Sequence, residues 1–268
     1  MGLNINTNIV GLQAGRNTRQ TNRLLNNTLR QLSSGLRINR AADDAAGLAI
    51  AERFSSQVRQ SRVEANNLQS GINAAQTAEG GLSVQQDATQ RLRELSLQAA
   101  NGTLSEGQRQ ALNAEAQQLV DQINDVSQDT QFNGQGLLNQ DQTIDLGTEG
   151  GSALELQDAS AGALGLDTID LSTADGANAA LGAIDTAQQQ IANNRASLGA
   201  QTNRFESAIN QRDIAGENAA AAESQIRDLD IARAALERSQ NEVLLQSGIS
   251  ALAQGNISQQ SALQLLGQ

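Results

Sequence analysis

The chain has 268 residues, a net charge of −11 and only three aromatic side chains, Phe54, Phe132 and Phe205. It contains no Trp, Tyr, Pro, Cys, His or Lys. Without His or Cys there is no ordinary zinc site and no Ser-His-Asp or Cys-His nucleophile. Without Lys there is neither a Schiff base nor a phosphate-loop lysine. Glycosidase-type carboxylate chemistry lacks the aromatic walls of a shaped pocket, so no catalytic, cofactor-binding or metal site is expected. So few aromatics also make a compact core of ordinary size hard to build. The abundant Ala, Leu, Gln, Asn and Ser suit long helices with narrow seams.

Zero Cys and zero Pro remove disulfide errors and slow peptide isomerisation, which suits a chain that travels unfolded. The N-terminus lacks the pattern of a secretory signal peptide. No apolar run approaches ~18 residues, so membrane insertion is not expected. Residues 1–40 carry six arginines and no acid, whereas residues 131–180 carry eight acids and no arginine. A basic arm is one mark of nucleic-acid binding, but this one has no aromatics for stacking. Arginines facing water or neighbouring copies fit better.

In chain order, Leu24, Leu25, Leu29, Leu32 and Leu36 mark an amphipathic helix. Phe54, Val58, Ser61, Ala65, Leu68, Ile72, Ala75, Glu79 and Leu82 follow a 4-3-4-3 spacing, which keeps one stripe on one helical face. A helix over about 45–100 is predicted, stopped by Asn101-Gly102 and weakened locally by Gly80-Gly81. Ser105 and Gln108 form a capping-box pattern before a helix with Leu112, Ala116, Leu119, Ile123 and Val126 on one face, ending near Gln131-Phe132-Asn133-Gly134. Residues 143–146 and 153–156 alternate apolar and polar around glycines, which predicts a β-hairpin, with a further short strand at 168–171. No other β signal is read. Ile184, Ile191, Leu198 and Phe205 recur every seven residues in a helix over about 177–225. Leu245, Ile249 and Leu252 mark a last helix, and the described pattern closes on Leu265 and Leu266. The fold class is mainly α: a long antiparallel helical bundle or coiled coil with one small β-hairpin region. Each end is too short to bury its apolar face alone, so the two ends pair with each other or with other copies.

Leu32-Ser33-Ser34-Gly35-Leu36-Arg37-Ile38-Asn39, followed by Asp43-Asp44-Ala45-Ala46-Gly47, resembles the N-terminal signature of bacterial flagellins. Ile5-Asn6-Thr7-Asn8, residues 90–95 and residues 131–134 match further segments. Ile226-Arg227-Asp228-Leu229-Asp230 and the Leu-rich end resemble the C-terminal signature. The resemblance covers about 1–140 and 177–268. It implies a structural subunit of the flagellar filament, self-assembling into a hollow helical polymer for motility, in a short form without outer variable domains. It implies an inner domain of residues 1–44 and 226–268, with paired termini lining a channel. A helical-bundle domain of residues 45–225 would carry the hairpin at about 141–172. Location outside the cell in the filament is implied as well. So are partners: many copies of the chain, the flagellar export apparatus, an export chaperone, the filament cap, hook-junction proteins and a host Toll-like receptor.

Leu24, Leu25, Leu29, Leu32, Leu36, Leu245, Ile249, Leu252, Leu265 and Leu266 are the expected assembly seams. Arg91, Leu95 and Glu115 match positions contacted by that innate receptor in some flagellins. Packing between subunits is the plainer role, with Arg91 at the seam edge and Leu95 beside it. Asp43 and Asp44 read as helix caps opposing the N-terminal dipole rather than as an acid/base or metal pair. The acids of 141–175 are not spaced as a calcium loop. A hook–filament junction protein shares such terminal helices but matches the signatures less well. A filament-displayed carboxylate hydrolase would need an inserted domain for which there is no room.

Overall fold

The computed structural model describes residues 8–266, with the side chains of 258–260 and 262–266 outside that description. The expectations on Ile5, Asn6 and Thr7, and on the Leu265 and Leu266 side chains, therefore lie outside the described residues. The described chain contains helices α1 (Ile9–Ser34), α2 (Ala45–Ala99), α3 (Glu106–Asp129), α4 (Ala174–Arg227) and α5 (Ile231–Leu266). Between α3 and α4 lie four short strands: β1 (Gln131–Phe132), β2 (Gln135–Gly136), β3 (Gln142–Asp145) and β4 (Ala153–Leu156). About three quarters of the chain is helical.

Every helix begins on a side-chain cap. Asn8, Asp44, Ser105, Thr173 and Asp230 each accept a backbone N–H from three residues on, satisfying a donor that the first turn leaves orphaned. Ser105 and Gln108 complete the reciprocal capping box. Asp43 instead closes the preceding turn, accepting from the backbone of Asn39 and Arg40 at 3.1 and 3.0 Å. Both carboxylates of that pair are thus occupied by backbone. Gly35, at φ +70°, ends α1 in the left-handed conformation that favours glycine.

The chain divides into two compact units, one of residues 1–58 and 217–268 and one of residues 59–216. These divisions fall inside α2 and α4. In the terminal unit Ile38, Ala51, Ala219 and Ala234 are buried, so the start of α2 and the end of α4 supply half of its small core. None of these four belongs to the main hydrophobic cluster.

In the central unit, polar pairs report the packing directions. Glu64, Glu79 and Arg93 of α2 pair with Arg212, Arg195 and Asp185 of α4, so residue numbers rise on one helix as they fall on the other. Gln85 and Arg91 of α2 meet Ile123 and Glu115 of α3 in the same antiparallel sense. The heptad residues Ile184, Ile191, Leu198 and Phe205 are all buried. The stripe on α2 slips by one position where the expected Glu79 gives way to Ala78. Continuing 4-3-4-3 would have buried a carboxylate. Two consecutive spacings of three, from Ile72 to Ala75 to Ala78, keep alanine in the seam, and Glu79 reaches Arg195 at 3.6 Å.

The β region differs from expectation in two places. β1 and β2 form a small antiparallel ladder around a turn in which Asn133 (φ +53°) and Gly134 (φ +78°) are both left-handed. α3 ends at Asp129, near the expected stop, and the residues that follow, Gln131 to Gly136, form a hairpin that was not expected. Residues 168–171 form no strand. Ile169 and Leu171 are buried, but their backbone is satisfied by α3: Gln117 donates to the Ile169 carbonyl and Leu171 N–H donates to Asn113, both at 2.8 Å. The β3–β4 hairpin is observed as expected, with Ile144 opposite Leu154.

Two glycines of α2 admit the β3–β4 loop and the residues that flank the β1–β2 hairpin. A Cβ on Gly71 would come within 2.6 Å of Leu146, and one on Gly81 within 2.5 Å of Thr130. The tip of the β3–β4 hairpin is tied down by Glu64, which is buried at 6% side-chain exposure and lies 2.7 Å from Arg212 Nε. Glu64 also accepts from Glu149 N at 3.2 Å, and Arg212 donates to the Glu149 carbonyl. Phe205 is the largest fully buried side chain. Phe205→Ala is expected to destabilise the chain by about 3–5 kcal/mol, measured as a lowered urea midpoint with the helical signal retained in water.

Candidate assembly site

α1 and α5 pack against each other. Asn8 approaches Asn256, and Thr18 approaches Gly248. Leu36 bridges Asp228 at the other end, so the pair is antiparallel. The covered face of α1 carries Thr18, Thr21, Leu25, Thr28 and Leu32, spaced 3-4-3-4. The covered face of α5 carries Ala234, Asn241, Leu245, Gly248 and Leu252. Thr18, Thr21 and Thr28 donate their hydroxyls to carbonyls one turn back, so no threonine hydroxyl requires a partner across the seam. A Cβ on Gly248 would meet Thr18 Oγ1 at 2.8 Å, which explains the glycine there.

The expected seam residues divide between the two faces of the pair. Leu25, Leu32, Leu245 and Leu252 line the seam, and Leu36 is half-buried in the following loop. Leu24, Leu29 and Ile249 face outward. The sequence reading followed leucines and passed over the threonine spacing, which carried the signal.

The outer faces also carry large aliphatic side chains. Eleven of the sixteen exposed large hydrophobic side chains among the described residues lie on α1 and α5, a concentration far above the scattered exposure normal for a surface. On α5, Leu236, Val243 and Ile257 are spaced by seven and fourteen residues on one outward face, with Leu236 and Val243 at 68% and 63% exposure. On α1, Arg16, Arg19 and Arg23 are exposed and make no ion pair with another described residue.

The two signature segments meet at the base of this pair. Arg37 N–H donates to the Arg227 carbonyl at 2.7 Å and Leu229 N–H to the Gly35 carbonyl at 3.0 Å. The Arg37 side chain caps the Ile226 carbonyl. Arg227 lies 3.6 Å from Glu52 and 3.4 Å from Glu223. Segments nearly two hundred residues apart are thus stitched by main-chain bonds.

In the central unit, Arg91 and Glu115 come together: Arg91 Nη2 lies 2.8 Å from Glu115, and Nη1 lies 3.0 Å from Glu94. The hydrogen bond to Glu115, then that to Glu94, raises the pKa of Arg91 above its ordinary value. Arg93 turns to the other side and pairs with Asp185. Leu95 does not share the outer surface with Arg91 but lies in the bundle core with Ala88, Leu92 and Ala99. Four residues advance a helix by about 40°, and that rotation carries Leu95 into the main core at 1% exposure.

The bacterial flagellin N-terminal helical region is recognised at residues 5–143 and the C-terminal helical region at residues 181–266. A flagellin of Halalkalibacterium halodurans is 41% identical across 98% of this chain and 99% of its own. Flagellin FlaB1 of Treponema pallidum is 39% identical across 98% and 99%. The flagellar filament core protein flaB2 of Brachyspira hyodysenteriae is 37% identical across 98% and 99%. With both helical regions matched and relatives aligned from end to end, this chain belongs to the bacterial flagellin family.

Proposed function

We propose that this flagellin, a structural subunit of the flagellar filament, polymerises by burying the outward aliphatic faces of α1 and α5 against neighbouring copies. The observation that carries this reading is the aliphatic surface that the terminal pair leaves outside its own seam. The inner seam already holds Leu25, Leu32, Leu245 and Leu252 among threonines and glycine, yet eleven further Leu, Ile and Val side chains of the pair point away from it. Covering a half-exposed Leu, Ile or Val contributes about 1 kcal/mol, so several such residues per copy offset the cost of ordering a subunit in a polymer. The terminal pair is read as the inner, channel-lining part of the filament, and the central unit as the part around it. The export apparatus, an export chaperone, the cap and the junction proteins are transient partners in the same proposal. Placement outside the cell is part of it too, as against the periplasmic flagella of spirochaetes. Antibody labelling of intact cells separates the two locations.

Val243→Asp places a charge on the outward face of α5 without touching the seam. It is expected to abolish filaments in electron micrographs while the free subunit keeps its helicity and melting, because burying an unpaired carboxylate costs several kcal/mol. Deleting residues 1–36 or 245–268 is expected to leave a soluble helical subunit that does not polymerise. Normal filaments from Val243→Asp would show that this face remains in water.

The exposed Arg91–Glu115 pair is read as a contact between copies, or with a host receptor acting on free subunits, with Leu95 supporting the helix from inside. Exposed ion pairs contribute little to stability. Arg91→Ala is therefore expected to leave thermal melting unchanged and to raise the critical concentration for polymerisation. A lowered melting point with unaltered assembly would assign Arg91 to the fold instead.

A further inference from the structure

The chain contains two Asn-Gly pairs, Asn101-Gly102 and Asn133-Gly134, and their surroundings differ. Asn101 lies in the exposed turn between α2 and α3. Its Oδ1 accepts two hydrogen bonds from Thr103, from the backbone N–H at 3.1 Å and from the hydroxyl at 2.9 Å. This folds the side-chain amide back over the Gly102 peptide. The Asn101 carbonyl, part of that same peptide, accepts from Leu104 N–H at 3.2 Å and from Arg109 at 3.4 Å. Gly102 N–H donates to no group among the described residues.

We propose that Asn101 is a site of spontaneous covalent modification, deamidating through a cyclic imide formed with Gly102. The Gly102 nitrogen attacks the side-chain carbonyl carbon of Asn101 and forms a new N–C bond. The former Gly102 proton goes to the departing amide nitrogen, which leaves as ammonia. Water then opens the five-membered imide at either carbonyl and leaves aspartate or isoaspartate, so one water is consumed and one ammonia released. The two Thr103 donors sit on the oxygen where negative charge develops as the nitrogen attacks. The hydrogen bonds on the Asn101 carbonyl, one from the Arg109 cation, draw electron density from the peptide and make the Gly102 N–H more acidic. Gly102 has no side chain to screen the approach, and the exposed turn admits water.

Asn133 has the same neighbour but not the same freedom. It is held at φ +53° beside Gly134 at φ +78° by the β1–β2 ladder. The ladder fixes the turn backbone, so the rotations about ψ and χ1 that bring the Gly134 nitrogen to the side-chain carbon require the hairpin to open. The modification at Asn101 adds one negative charge to a chain of net charge −11, beside Arg109 and the start of α3.

The test is incubation of the full chain at mildly alkaline pH, followed by peptide mass mapping with isoaspartate detection. Asn101 is expected to convert, with Asn133 slower by about tenfold or more while the hairpin stays closed. Gly102→Ala is expected to slow conversion at Asn101 by more than about tenfold. The added Cβ meets nothing within 4 Å, so the fold is retained, as circular dichroism will check. Thr103→Val keeps the backbone donor and loses the hydroxyl, and it is expected to slow conversion about fivefold, the factor of one ordinary hydrogen bond. In urea, Asn101 and Asn133 are expected to convert at similar rates, with Thr103→Val then without effect. Equal rates at both sites in the folded chain, or no effect of Thr103→Val there, would overturn the assignment.

Discussion

Close approach between helices is the constraint on which the rest of this structure depends. With three aromatic residues in 268, no large side chain is available to fill wide gaps. Fourteen of the thirty-four buried hydrophobic residues among those described are alanine. Each contributes little area, so the core works only if helix axes come near enough for Leu and Ile to reach across. The one-position slip on α2 follows from this need: Ala78 fits the narrow seam, and Glu79 does not. The same need explains why the β3–β4 loop and the residues that flank the β1–β2 hairpin rest on Gly71 and Gly81, where any Cβ would meet a neighbour at under 3.0 Å.

Polar residues then supply what small side chains cannot. Gln85 is fully buried and donates to the carbonyls of Ile123 and Ala159 at 3.1 and 2.9 Å, tying α2 to α3 and to the loop after β4. Glu64 and Arg212 join α2, α4 and the hairpin tip in one network. Asn113 and Gln117 give the buried 169–171 backbone its partners. Buried polar groups of this kind favour one alignment of the helices, because a shifted register leaves them unpaired. The terminal unit has few such devices and a small core. Many of its aliphatic residues remain on the outside, the arrangement expected of a subunit completed by its neighbours.

Much of the fold was legible from residue spacing. The seven-residue recurrence from Ile184 to Phe205 places α4, and the Ser105–Gln108 box starts α3. The alternation around Gly147 and Gly150 places β3 and β4. The misread segments were those where local pattern and tertiary partner compete. Thr168-Ile169-Asp170-Leu171 alternates like a strand, yet α3 side chains occupy the donors and acceptors a strand partner would need. Gln131-Phe132-Asn133-Gly134 is too short for a period, so its ladder goes unseen unless the Asn-Gly turn is weighed. In the candidate site, Leu25, Leu32, Leu245 and Leu252 lie between α1 and α5. Leu24, Leu29 and Ile249 differ from them only in which way the helix is rotated.

By itself, the sequence determined the absence of His, Cys and Lys, the helical periods, the caps and the family signatures, because these depend on residue identity and local spacing. Only the tertiary structure decided which stripe of each terminal helix is covered. α1 carries leucines on two faces, Leu25 and Leu32 on one and Leu24 and Leu29 on the other, and the choice rests on which face fits Gly248 and Leu252 of α5. Likewise, only packing could bury Leu95 while leaving Arg91 outside on Glu115. A rotation of about 40° between them acquires meaning only once α3 and α4 fix where the core lies.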